Sequence, residues 1–191
     1  MKRFPLLVLL LSCTPLAFGS QLTYTLNFEQ LPEYTVITNQ YSADYVTFSD
    51  TMQLVAPDYD YFDFPPTSGS GVITNDPNDP IQLNFSAAIQ NVSGYYADPD
   101  GVTVTAYDAA NNVLDTFDGA AVVGSDLQFF VTDSSNSDPI SYVTISDDTQ
   151  SPDSETVDDI SYTVTPEPGT FVLLGSGLLG LAGVVRRKFA R

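Results

Sequence analysis

The chain has 191 residues and a formal net charge of −18, with 24 Asp and Glu against 6 Lys and Arg and no His. All six basic residues lie at positions 2–3 and 186–191, so the stretch that holds every acid contains no basic side chain. This distribution excludes nucleic-acid binding, because nothing would neutralise the phosphates, and the lack of His excludes a Ser-His-Asp triad.

The N-terminus has the pattern of a secretory signal peptide, which we predict at residues 1–19. A positive start, Lys2-Arg3, precedes the apolar run Phe4–Leu11, and Ala17–Gly19 has the small residues of a cleavage site. An alternative is that Cys13, which follows a passable lipoprotein box, becomes a lipidated N-terminus. In both cases the following residues are exported.

Residues 20–165 are predicted to form one domain of short β-strands. Apolar and polar residues alternate in the first of these strands, and turn residues separate the segments. The predicted strands are Gln21–Phe28, Val36–Ile37, Tyr45–Phe48, Met52–Val55, Gly71–Thr74, Ile81–Phe85, Ile89–Tyr96, Val102–Tyr107, Val113–Phe117, Leu127–Thr132, Ile140–Ile145 and Ile160–Val164. No helical period appears, so the pattern predicts an all-β antiparallel sandwich of the jelly-roll type.

The C-terminal tail, residues 166–191, has three parts. Pro166, Glu167 and Pro168 form a stiff motif that precedes the apolar run Thr170–Val185. The run is short for a permanent membrane span, which needs about 20 residues. A basic cluster that would stay on the cytoplasmic side of a membrane ends the chain; it comprises Arg186, Arg187, Lys188 and Arg191.

This order of motif, apolar run and basic cluster resembles the PEP-CTERM sorting signal of Gram-negative bacteria. The resemblance implies recognition and cleavage by an exosortase. It also implies a membrane-anchored precursor that reaches the cell surface or an extracellular matrix made with exopolysaccharide. An ordinary C-terminal anchor is the alternative interpretation of the same tail.

The domain itself is similar to the jelly-roll ectodomains of PEP-CTERM proteins, which are akin to galactose-binding-like and carbohydrate-binding modules. The matching stretches are LNFEQLP at 26–32, TNQYSADYVTF at 38–48, VTVTAYDAANNVL at 102–114 and VDDISYTV at 157–164. The likeness implies a sandwich fold and often a structural calcium ion, but it transfers no ligand.

A calcium site also follows from the acidic residues themselves. If the first and last strands pair antiparallel, Glu29 at the end of one lies beside Asp158 and Asp159 at the start of the other. Calcium prefers oxygen ligands, and no basic side chain competes for these carboxylates. Asn39 or Gln40 could add an amide oxygen. The alternative is that the two aspartates only cap a turn.

Two further motifs have a structural and a functional interpretation. Asp98-Pro-Asp100-Gly101 resembles part of a calcium loop but lacks the remaining ligands, so we predict a turn. In Asp58–Phe64, Tyr59 and Tyr61 could stack on sugar rings, or their rings could pack on the core. The pair Tyr95 and Tyr96 has the same two interpretations.

These features favour an exported, structural or adhesive surface protein that is not an enzyme and associates with exopolysaccharide. The alternative is a calcium-dependent carbohydrate-binding module. A glycosidase would need two carboxylates about 5–10 Å apart in an open cleft.

Overall fold

The computed structural model describes residues 21–49, 51–60, 62–75, 80–133, 138–147 and 155–165, together with Gly177. The chain divides into two compact units, Ser20–Pro166 and a second formed by Met1–Gly19 with Glu167–Arg191. Apart from Gly177, the predicted signal peptide, Cys13, sorting motif, apolar run and basic cluster lie outside the described residues, as does Tyr61. Within the part of the chain described, no helix has the length and apolar character to cross a bilayer.

The described residues of the unit Ser20–Pro166 form eleven antiparallel strands, and one short 3-10 helix among them, Ser42–Asp44, precedes the third strand. The strands are β1 Leu22–Leu26, β2 Val36–Ile37, β3 Val46–Ser49, β4 Thr51–Val55, β5 Gly71–Asn75, β6 Ile81–Asp98, β7 Val102–Tyr107, β8 Val113–Asp118, β9 Val122–Thr132, β10 Ile140–Asp147 and β11 Thr156–Val164. The all-β antiparallel class predicted from the alternation is therefore confirmed.

The long strand β6 joins two groups of strands. Its first part pairs with β3 and β10, and the ladder continues from β10 to β7 and β8. Its second part pairs with β9 on one side and β11 on the other. Beyond β11 lie β1 and β5, which both pair with it, followed by β4 and β2. One chain segment thus contributes to both layers of the fold.

The sequence predicted two strands where β6 is one. Between Asn84 and Ile89 the strand leaves its register with β10, because it crosses from one group of strands to the other. The crossing stays extended because neighbouring strands bond it at both ends. Ser86 N donates to Tyr45 O at 2.9 Å, and Ala88 O accepts from Thr165 N at 3.0 Å.

The core lies between the two groups of strands. Residues from most strands form one buried cluster with members from both groups, including Leu83, Val143, Phe129, Ile160 and Tyr162. Burying each such side chain contributes about 1.5–3 kcal/mol. The hydroxyl of Tyr162 does not remain unpaired, because it donates to Asp44 O at 2.7 Å.

Candidate functional site

The first and last strands pair as the calcium hypothesis requires. β1 and β11 are antiparallel, with Leu22 opposite Val164 and Leu26 opposite Ile160. Glu29 follows β1 by three residues, while Asp158 and Asp159 lie in β11 just before Ile160. All three carboxylates bond to one loop, which we call the serine-glycine loop and define as residues 67–71.

Glu29 holds the second half of this loop. Its Oε1 accepts hydrogen bonds from the backbone N–H groups of Ser70 and Gly71, each at 2.8 Å. These bonds lower the pKa of Glu29, although partial burial opposes them. The approach needs glycine at Gly69, whose φ is +55° and whose added Cβ would lie 2.2 Å from the Glu29 carboxyl carbon.

Asp158 and Asp159 hold the first half of the loop. Asp158 Oδ2 accepts from Ser68 N at 2.9 Å, and Asp159 Oδ1 accepts from Ser68 Oγ at 2.9 Å. Asp158 is buried, and burial raises its pKa to about 6 despite the bonds from Ser68 N and Asp159 N. Asp159 has φ +47° and belongs to a bulge in β11, where the pairing with β6 skips from Asp158 to Ser161.

Two polar groups beside the loop have no hydrogen-bond partner among the described residues. Gln53 is fully buried and donates through Nε2 to Phe28 O at 2.8 Å, but its Oε1 is unpaired. The hydroxyl of Tyr59 is likewise buried and unpaired. Burial raises the pKa of Tyr59 to about 12, with the charges of Asp158 and Glu29 as further causes.

Gln40, one of the two amides considered as a calcium ligand, is engaged in its own turn. Its Oε1 accepts from Thr38 N at 2.7 Å, and its Nε2 donates to Val36 O at 2.9 Å. The neighbouring Asn39 accepts a longer bond, 3.5 Å, from Thr38 Oγ1. The calcium ion at Glu29, Asp158 and Asp159 stays a prediction.

A second acidic group, which the sequence did not reveal, lies where β6, β10 and β11 meet. Asp98, Asp147 and Glu155 have carboxylate oxygens within 4.8 Å of one another and are the one such group of three found among the described residues. They are 0%, 7% and 0% exposed. Register brings them together: Thr156 pairs with Ala97, and Asp147 pairs with Val102.

Three close carboxylates in a segment without basic residues have limited chemical options. Carboxylate oxygens are the ligands that a hard divalent cation takes, so the group could hold such an ion. Its burial also separates it from any substrate, so it is not the open carboxylate pair that a glycosidase requires. Asp98 still forms the predicted turn, since its Oδ1 accepts from Asp100 N and Gly101 N at 2.7 and 2.6 Å.

The tyrosines considered for sugar stacking occupy different environments. Tyr96 is 1% exposed and its hydroxyl donates to Ala120 O at 2.9 Å, so it is a core residue. Tyr95 is half-buried on β6, and Tyr59 directs its hydroxyl into the protein beside the serine-glycine loop.

A family model described as the PEP-CTERM protein-sorting motif matches residues 164–188. The chain carries a PEP-CTERM sorting motif. A search of curated protein sequences finds no match.

Solved structures similar to the domain that precedes this motif include adhesin domains and carbohydrate-binding modules. The K2 cleaved adhesin domain of Lys-gingipain is 14% identical, with 75% of this chain and 100% of that domain covered at a TM-score of 0.50. The K1 cleaved adhesin domain of the same protein, from Porphyromonas gingivalis, is 15% identical, with 78% and 100% covered at 0.43. A low-affinity xylan-binding module from Roseburia intestinalis is 14% identical, with 79% and 98% covered at 0.41. The match to the K2 domain shows a shared fold.

Proposed function

We propose that this protein is an exported surface or extracellular-matrix protein with a structural or adhesive role, sorted by an exosortase and associated with exopolysaccharide. The observation that carries the proposal is the sorting motif at residues 164–188. The signal-peptide pattern at residues 1–19 supports export, and the β-sandwich fold, which an adhesin domain of Lys-gingipain shares, suits a surface module.

The charge distribution also supports an extracellular role. A domain with only carboxylates and no basic residue repels copies of itself and other anionic surfaces, which keeps it soluble and dispersed among hydrated polymers. We expect no catalytic activity, because Glu29 and Asp158 bond to backbone groups, and Asp98, Asp147 and Glu155 lie buried together.

The sorting step can be tested by replacing Pro166, Glu167 and Pro168 with alanine in a host that has an exosortase. We expect the unaltered protein to leave the membrane fraction in processed form and the variant to remain there as a full-length precursor. A host that lacks the exosortase is the control, and both proteins should accumulate as precursors in it. Equal processing of the two proteins in the first host would contradict the proposal.

Structural calcium is the second part of the proposal. Glu29, Asp158 and Asp159 would hold the ion. Glu29 Oε1 already accepts two hydrogen bonds, so Glu29 would contribute its Oε2 beside oxygens of the two aspartates. The unpaired Oε1 of Gln53 is a further buried oxygen next to Phe28 and Glu29. Because these three carboxylates do not form a group within 4.8 Å, binding requires them to approach one another. Calcium would offset their repulsion and tie the serine-glycine loop to β1 and β11.

A further inference from the structure

One outer sheet face of this acidic domain has an ordered set of uncharged side chains. Five strands, in the order β3, β6, β10, β7 and β8, contribute to it. A first row of directly paired residues crosses all of them: Thr47, Asn84, Tyr142, Tyr107 and Val113. With strands about 4.8 Å apart, four steps make the row about 19 Å long.

A second row runs parallel to the first, two residues away in β3, β6, β10 and β7 and three residues away in β8, where the register shifts. It consists of Ser49, Gln82, Thr144, Thr105 and Thr116. The residues between the two rows, Phe48, Leu83, Val143 and Ala106, are at most 5% exposed. Since successive side chains point to opposite faces of a sheet, both rows point away from the core in these four strands. Val113 and Thr116 of β8 are exposed. We call these two rows the neutral face.

The centre of the neutral face is a pair of stacked tyrosine rings. Tyr107 and Tyr142 lie directly opposite each other, with ring centroids 4.5 Å apart and planes 8° from parallel. Both side chains are half-exposed. Stacking fixes the two rings against each other, so little side-chain entropy remains to be lost when a ligand contacts them.

Amide and hydroxyl groups of the two rows lie beside the rings. Burial, Tyr107 and the charge of Asp108 raise the pKa of Tyr142, so the Asp108 carboxylate, which is outside both rows, also lies near. Gln82 Nε2 donates to Asn84 Oδ1 at 2.6 Å, which links the two rows beside Tyr142. That bond leaves Asn84 Nδ2 as a donor and Gln82 Oε1 as an acceptor outside it. The rows therefore combine aromatic carbon, amide donors and acceptors, and hydroxyls, without a single charged group.

We infer that the neutral face binds a neutral polysaccharide chain, held by the Tyr107–Tyr142 pair and by the amides of Gln82 and Asn84. Sugar rings present C–H groups to aromatic carbon and hydroxyls to amides, and this face offers both kinds of partner. Charge determines which polymer can bind. Every charged side chain in residues 20–165 is negative, so the domain repels an anionic polysaccharide but does not repel a neutral one. This inference rests on the proposed extracellular role and names the kind of polymer that the protein would contact.

The test measures binding of the full-length chain, purified in a detergent without sugar head groups. The probes are two neutral polymers, mixed-linkage β-glucan and galactomannan, and one anionic polymer, alginate. Binding is measured by retardation of the protein in gels that contain each polymer and by calorimetry. We expect at least one neutral polymer to bind and alginate not to bind. Tyr107→Ala and Tyr142→Ala should each weaken binding at least tenfold, as residues at the centre of an interface often do.

Matched controls separate binding from folding. Tyr34→Ala removes a tyrosine that is 61% exposed and lies outside both rows, and it should change affinity by less than about twofold. Tyr142→Phe keeps the stacked ring and should keep most of the affinity. If an alanine variant fails to fold, Asn84→Asp places a charge on the face with little change in shape and should weaken binding as well.

Several results would overturn the inference. One is that neither neutral polymer binds, and another is that Tyr107→Ala and Tyr142→Ala bind as well as the unaltered protein. A third is self-association that Asn84→Asp abolishes, because the ligand of the face would then be a second copy of the chain. The proposed sorting is judged separately, by processing of the variant at residues 166–168. Normal processing without polysaccharide binding would reject the neutral face alone, and binding without processing would reject the sorting alone.

Discussion

At Asp158, burial and hydrogen bonding act on one carboxyl group in opposite directions. Burial disfavours the charged form, while the backbone N–H groups of Ser68 and Asp159 favour it. Burial prevails and raises the pKa from 3.8 to about 6. The folded domain consequently holds a proton on Asp158 over a pH interval in which the unfolded chain has released it.

This shift predicts that the domain loses stability as the pH rises through about 6. The unfolded state binds fewer protons there, so the free energy of unfolding falls with pH. Asp158→Asn should flatten the change in melting temperature between about pH 5 and pH 7.5, measured by circular dichroism in chelator at constant ionic strength. Glu29 does not interfere, because its pKa is lowered and its contribution is lost only at more acidic pH.

The matched control for this experiment is Asp60→Asn, which removes the same charge from an exposed side chain. It should keep the pH slope of the unaltered protein. The melting temperature of Asp158→Asn should still change somewhat with pH, because burial and Asp58 raise the pKa of Glu33. Equal slopes in Asp158→Asn and Asp60→Asn would show that net charge, and not Asp158, sets the pH dependence.

At the scale of the strands, alternation in the sequence was sufficient to place most elements, and turn chemistry placed their connections. Val102–Tyr107 has its predicted bounds, and Asp108 closes the predicted hairpin by accepting from Ala110 N and Asn112 N at 2.8 Å each. The sequence could not show that β6 is continuous, because that depends on partners from both layers. It also missed the group around Glu155, since the register of β11 with β6 and of β10 with β7 brings those acids together.

A glycine inside a strand often marks a bulge, but at Gly94 of β6 the bulge is in the neighbouring strand. Gly94 keeps its register with Phe129 in β9, and the extra residues are in β11. The glycine is needed for a packing reason: a Cβ there would lie 2.7 Å from two carbons of the Phe129 ring, which is 0% exposed. A buried ring held on all sides cannot easily move away from such a contact.

Gly94→Ala should therefore destabilise the domain by about 1–3 kcal/mol through overpacking. For a domain of this size, that corresponds to a fall of roughly 2–12 °C in melting temperature. Phe129→Leu makes room for the new methyl group, so the double variant should lose less stability than the sum of the two single changes. The control is Ser93→Ala, at the position of β6 just before Gly94, which should change stability by less than about 0.5 kcal/mol. Additive effects of the two single changes would exclude the proposed contact.

Across the whole molecule, the distribution of charge determines how the folded state can be stabilised. No salt bridge can form inside residues 4–185, so carboxylates there depend on hydrogen-bond donors of the backbone and of neutral side chains, on protons or on added cations. Glu29, Asp158 and Asp159 use the first of these at the serine-glycine loop. The neutral face shows the complementary arrangement, in which acids are kept off the paired rows of one sheet.

Calcium should accordingly raise the melting temperature of the full-length chain more than screening alone can. A ligand that binds only the folded state at a hundred times its Kd contributes about 2.7 kcal/mol, or roughly 5–11 °C for a domain of this size. Sodium chloride at equal ionic strength, and magnesium, are the controls, since screening acts without a specific site. Glu29→Ala combined with Asp159→Ala should abolish the calcium-specific rise, whereas Asp98→Asn combined with Glu155→Gln should preserve it. If instead Asp98→Asn with Glu155→Gln abolishes the rise and Glu29→Ala with Asp159→Ala preserves it, the ion binds at Asp98, Asp147 and Glu155. If calcium, magnesium and sodium salts raise the melting temperature equally, the carboxylates respond only to ionic strength and bind no specific ion.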